Sequence, residues 1–369
     1  MRPSHILAAL SAVVTLTIHT GCSSELDTNA PYKRITVVYS LLNKNDNIHW
    51  VKINKAFLGE GDAFVYAQIP DSTEYTEEQL PESARRIEKI DANGNVIPVH
   101  PDSLRLRDTI VDRPDGIFHG PAHKMYYFYG DMPGGRLDKD ARYRLVLEPQ
   151  GSEVITAETP LVDSLAVRQT LSDPDVALSF YLGNGYQPYA VRWYTSHNAR
   201  RYQAYYRFHY DEVRNGQVET KYFDNQIGTL VSDNQTGGEV SLNLNSETFY
   251  QAVANNVRYT DQSVEDQVES RIFRGVEFYF WLAAPQLHTY LQLASPISGI
   301  VEERPDYSNI NGGFGLMSSR MYRIVPDEAQ GGNVAQRKRL TSASSEQLMN
   351  GQYTGGLKFC VPTPLDGGC

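Results

Sequence analysis

The chain has 369 residues, and 44 acidic against 34 basic side chains leave a net charge of −10 that repels a phosphate backbone and counts against nucleic acid as a partner. Its length suits two domains with ordinary cores. With 24 Tyr and 13 Phe set in short apolar-aromatic segments broken by Gly, Pro, Asn and Asp, it reads as mainly β.

The first 21 residues have the layout of an export signal. Arg2 supplies a positive n-region, and the apolar run from Ile6 to Ile18 is too short for a bilayer, which takes about 20 residues to cross. His19, Thr20, Gly21 and Cys22 follow. They resemble the lipobox of the lipoprotein signal peptidase, whose cut leaves Cys22 as an acylated N-terminus anchored in outer-membrane lipid. His19 departs from the Leu, Val or Ile usual at its position, and the alternative is an ordinary signal peptide followed by a buried cysteine. Residues 22–33 are polar, without apolar periodicity, and read as a tether. Ser23, Ser24, Glu25 and Asp27 resemble the surface-export signals of Bacteroidota lipoproteins, which favours the cell surface over the periplasmic face.

Residues 34–162 carry strand candidates at 34–42, 49–57, 85–91, 125–130, 142–149 and 152–160, each short, β-branched or aromatic, and often alternating. The turn-prone stretches 43–47 and 91–96 lie between them, the second with an Asn93-Gly94 pair that favours a tight hairpin. Such a series predicts an immunoglobulin-like or fibronectin-like β-sandwich. An acidic insertion bounded by prolines, residues 59–83, breaks the rhythm. It reads as a long loop with a helical turn, the kind of segment that often carries partner contacts.

From residue 163 to 369 the pattern predicts a larger β-rich domain with a few short helices. Residues 192–223 read as strands with a hairpin at Asn215-Gly216, and 274–284 as a buried central strand. A helix is expected over 245–257, with Ser246 as its N-cap and Phe249, Tyr250 and Val253 on one side, and another over 286–295 after Pro285. Cys360 and Cys369 flank Pro362, Pro364, Gly367 and Gly368, so an oxidising compartment would allow a small disulfide loop that pins the last segment.

The sandwich pattern, the long insertion, the stretch 278–291 and above all Tyr307-Ser308-Asn309-Ile310 with its following glycines together resemble an uncharacterised family of Bacteroidota outer-membrane lipoproteins. The resemblance covers nearly the whole mature chain. Members often lie near TonB-dependent receptor genes, so it implies a partner role in outer-membrane transport or assembly. It supplies no catalytic residues.

Catalytic and cofactor signatures are weak. Gly312, Gly313 and Gly315 match neither phosphate-binding pattern and are expected to serve a bulge or tight turn. His119 and His123 have helical zinc spacing, but Gly120 and Pro121 between them argue against a helix. Acid pairs at 137–140 and 173–175 read as turn or capping groups. No cofactor and no metal is expected, and the chain reads as non-enzymatic. Three tryptophans could stack on sugar rings. Trp281, within Phe278 to Leu282, reads as core, which leaves Trp50 and Trp193 as candidate ligand contacts. A surface binder of glycans or matrix is therefore the alternative to a binding or scaffold subunit.

Overall fold

The computed structural model describes residues 33–58, 62–114, 116–234, 237–294, 306–326 and 336–369. The export signal, Cys22 and the tether as far as residue 32 lie outside the described residues.

The first half contains strands β1 (Lys33–Leu42), β2 (His49–Leu58), β3 (Arg85–Ile90), β4 (Arg107–Asp112), β5 (Ala122–Phe128), β6 (Arg142–Leu147) and β7 (Ile155–Pro160). One layer has the order β1-β2-β5-β4 and the other β3-β6-β7. Lettered in sequence these are strands A-B-E-D facing C-F-G, the arrangement of an immunoglobulin constant-type sandwich. Alternation supplies the core. Val38, Val51, Ile53, Tyr126 and Phe128 from one layer meet Ile87, Tyr143, Leu145 and Ala157 from the other.

The insertion forms two short helices, α1 (Ala63–Ala67), capped by the Asp62 carboxylate, and α2 (Pro70–Thr73). It is tied down by Tyr75, which is buried and hydrogen-bonds Thr36 Oγ1 at 2.6 Å. The tight hairpin expected at 91–96 forms in short: Gly94 takes a φ of 85°, Asp91 N donates to Asn95 O and Ile97 N to Lys89 O, and a single antiparallel bridge joins Ile90 to Val96.

The second half adds β8 (Ala166–Val167), helix α3 (Gln169–Ser172), β9 (Tyr181–Leu182), β10 (Gly185–Tyr186), β11 (Tyr189–Tyr194), β12 (Arg201–Arg214), β13 (Gln217–Val231) and β14 (Glu239–Leu244). Helices α4 (Ser246–Val257) and α5 (Gln262–Asp266) precede β15 (Val268–Ala283), α6 (Pro285–Ala294), β16 (Phe314–Val325), α7 (Ser342–Asn350) and β17 (Phe359–Cys360). The β12-β13 hairpin turns at Asn215 and Gly216, both at positive φ, as a tight turn between twisted strands requires. β15 is flanked by β12 and β16 and is central. The N-cap of α4 is Asn245, whose Oδ1 accepts from Thr248 N at 3.0 Å. Ser246, expected in that role, is the first helical residue, and its hydroxyl donates to the Gln187 carbonyl instead.

Parallel pairing of β16 with β1 joins the halves into one sheet path, β13-β12-β15-β16-β1-β2-β5-β4. Met317 of β16 enters the first core, while Met321 and Val325 enter the second, built around Trp193, Tyr206, Phe208, Phe249 and Phe278. Both cores receive odd-numbered side chains of β16, so both lie on one face of this sheet. The glycine-rich segment is the seam. Asn309 clamps Met317 through both backbone groups, at 2.6 and 2.9 Å, and Gly315 takes a φ of 121° against the Val38 carbonyl. Gly312, at a φ of 73°, serves the tight turn expected of these glycines, whereas Gly315 allows a close backbone approach instead.

Candidate functional site

The opposite face of the long sheet carries the alternate side chains. Register places Val37 beside Phe314, Tyr39 between Leu316 and Lys52, Trp50 beside Tyr127, and Trp281 beside Tyr322. α6 covers the middle of this face, where Leu287 packs on Ala283 and Leu316, and Tyr290 meets Tyr39 edge-on at 6.4 Å. The two flanks stay open.

On the sandwich flank, α1 together with Arg113, Ile117 and Phe118 stands over β1 and β2 and encloses a groove of about 520 Å³. Val37, Tyr39 and Ala56 form its floor, and Phe64, Ile117 and Phe118 its walls, with Phe64 67% exposed. Lys52, Lys55 and Arg113 are its cations, and Lys55 is turned to Asp71 O and Gln79 Oε1. Arg113 lies 4.8 Å over the Phe118 ring, and Lys52 Nζ donates to Lys124 O at 3.0 Å and sits 4.0 Å from Glu74. Burial holds the Lys52 ammonium below its usual pKa; Glu74 offsets this in part and Arg113 adds to it. His123 is likewise lowered by burial and then by Lys52 and Arg113. His119 pairs with Glu74 at 3.4 Å. The two histidines do not share a helix, since His123 lies on β5 and His119 precedes it in a loop. No group of three or more His, Cys, Asp or Glu able to hold a metal occurs among the described residues.

On the other flank, Arg207 of β12 is stacked between Tyr222 at 4.1 Å and Tyr279 at 4.6 Å, and is held by Asp224 at 2.6 and 2.8 Å. Trp281 and Tyr322 lie 5.5 Å apart beside it, 42% and 50% exposed. Next to Tyr279, Glu277 takes hydrogen bonds from His209 at 2.8 Å, Tyr279 at 3.1 Å and Arg337 at 3.1 Å. Burial alone would raise that carboxyl, but His209 and Arg337 outweigh it and hold the pKa at about 2.

The tryptophans therefore sort differently from expectation. Trp50 is exposed and meets Tyr127 at 5.7 Å, which in turn meets Tyr129 at 5.9 Å. Trp193 is fully buried against Phe280 and Tyr202 and cannot contact a ligand, because it shares the inner face of β11 with Val191. Trp281, expected in the core, faces solvent: Phe278, Phe280 and Leu282 fill the core, and strand alternation turns Trp281 the other way. Period-2 spacing in 278–282 was the available signal, but five consecutive apolar or aromatic residues give no contrast between the faces. Cys360 and Cys369 are disulfide-bonded, and Arg274 secures the loop by donating to the carbonyls of Leu365 and Gly367.

No family model matches the chain, and no curated protein matches it. Among solved structures it is similar to the C-terminal globular domain of an oligosaccharyltransferase from Pyrococcus abyssi, at 12% identity and a TM-score of 0.22, over 67% of this chain and 45% of that one. The chain thus spans under half the length of that structure, and a likeness of this degree establishes neither a common fold nor a common activity.

Proposed function

We propose that the chain is a non-enzymatic binding or scaffold subunit of an outer-membrane complex, held to the membrane by lipid on Cys22 and presenting the open sheet face to a protein partner. A TonB-dependent receptor is the partner class that the sequence resemblance implies. The observation that supports this reading is an aromatic face on adjacent paired strands, with Trp281 and Tyr322 exposed side by side and Arg207 held between exposed Tyr222 and half-buried Tyr279. Trp, Tyr and Arg dominate the energetics of protein interfaces, and neighbouring strands hold them with little entropy left to lose on binding.

Affinity purification from mildly solubilised membranes tests it. An outer-membrane protein that is recovered with the wild-type chain and lost with Trp281→Ala/Tyr322→Ala supports the reading; a chain recovered alone counts against it. A second reading, a surface glycan binder, draws on the same two rings, since an aromatic face offers apolar contact to sugars. Binding of soluble oligosaccharides that the same double variant abolishes, with no protein partner recovered, would favour it.

A further inference from the structure

The groove on the sandwich is apart from the aromatic cluster, and its lining calls for a ligand of another kind. We propose that it binds a fatty carboxylate, the alkyl chain lying between Phe64 and Phe118 and the carboxylate meeting Lys52 and Arg113.

Three observations carry this. The volume, about 520 Å³, falls within the range of small-molecule sites, roughly 300–1,000 Å³. The walls are apolar and open, with Phe64, Ile117 and Phe118 leaving much of their surface in water until something covers them. The polar groups of the lining are nearly all committed: Asn54 donates to Thr73 O, Lys55 to Asp71 O and Gln79 Oε1, and Thr73 to Pro70 O.

Charge then selects the head group. Lys52, Lys55 and Arg113 are in the described lining and no carboxylate is; Lys52 has Glu74 at 4.0 Å and Arg113 pairs with no carboxylate among the described residues, so the described lining is positive in a chain whose net charge is −10. A peptide occupant would bring an N–H and a C=O at each residue, and this lining has few free side-chain groups to pair with them. An alkyl chain brings none, and its single anionic end matches the positive lining at Lys52 and Arg113.

The test is calorimetric titration of the chain from Lys33 onward, which carries both cores and every strand described and lacks the acyl groups that would compete. Sodium dodecanoate, below its micellar concentration, is compared with dodecan-1-ol and sodium acetate. Dodecanoate is expected to bind saturably, dodecan-1-ol at least about tenfold more weakly, and acetate not at all. Arg113→Ala should weaken dodecanoate about tenfold without altering dodecan-1-ol, and Ala56→Trp, which fills the floor, should remove both, with unchanged melting confirming the fold. Equal affinity for acid and alcohol, insensitivity to Arg113→Ala, or no saturable binding overturns the proposal. Co-sedimentation with phosphatidylglycerol vesicles separates the sources of an anionic acyl ligand: capture by vesicles with no binding of free dodecanoate also overturns it.

Discussion

Gly315 of β16 lies so close to Val38 of β1 that a Cβ added to it would stand 2.0 Å from the Val38 carbonyl oxygen, at a φ of 121°. This contact closes the parallel pairing on which the continuous sheet depends. Gly315→Ala should therefore cost more than about 3 kcal/mol, since backbone strain of about 1–3 kcal/mol adds to displacement of the seam. Gly151→Ala is the control: its φ is 71° but nothing lies within 4 Å, so strain alone, about 1 kcal/mol, is expected. Urea midpoints of the two variants decide it, and equal losses would remove the seam from the explanation.

Arg271 is fully buried on β15 and holds both oxygens of Glu265, at 2.6 and 2.8 Å, together with Glu212 at 3.1 Å. Arg271→Ala leaves Glu265 without the arginine that holds it and Glu212 with Lys221 as its remaining charge partner, and should lower the stability read from urea midpoints by about 3–5 kcal/mol.

The same network predicts an acid response. The hydrogen bonds from Arg271 are the largest cause holding Glu265 below its ordinary 4.5; for Glu212, burial pulls upward but Lys221 and Tyr259 outweigh it. A depressed carboxylate pKa stabilises the fold fully above the unfolded value, and that contribution fades as pH falls from about 4.5 through the folded values. Urea midpoints should fall below pH 4.5, and Glu265→Gln, weaker at pH 7, should show a shallower fall. An unchanged slope in that variant would assign the acid response to other groups.

Trp193 and Trp281 should separate cleanly by fluorescence and stability. Trp281→Phe is expected to remove part of the iodide-quenchable emission, the rest coming from exposed Trp50, while changing stability by less than about 0.5 kcal/mol, whereas Trp193→Ala should leave the quenchable part in place and cost about 3–5 kcal/mol. A large loss from Trp281→Phe would place that ring in the core after all.

If the proposed anchor holds, Cys22→Ser should move the protein from the membrane to the soluble exported fraction, because the acyl chains supply the membrane affinity. Mass spectrometry checks the same point directly. An unmodified mature N-terminus at a residue other than Cys22 would end the lipoprotein reading.

Much of the sandwich was legible in the sequence because its strands alternate and its turns carry their own chemistry. Asn215-Gly216 sets the long hairpin through local backbone preference, and Pro285 opens α6 as expected of a first-turn proline. Ser246 was misread as a cap because it and Asn245 are both competent acceptors, and only the backbone at Asn245 is non-helical. The groove was foreshadowed by the irregular insertion, yet its cation Arg113 lies some fifty residues away, and nothing local links it to Lys52.

Sequence by itself determined what short-range physics controls: the β-rich class, the turns, and the glycine at the tight turn before β16. Tertiary structure alone decided the rest. Which face of β11 and β15 turns inward depends on strands far along the chain, so Trp193 is buried although Arg192 and Tyr194 flank it, and Trp281 is exposed although its neighbours are aromatic and apolar. The union of the halves has the same origin, since β1 and β16 are joined by a parallel ladder that no hairpin could make and that forms only after almost the whole chain has been laid down.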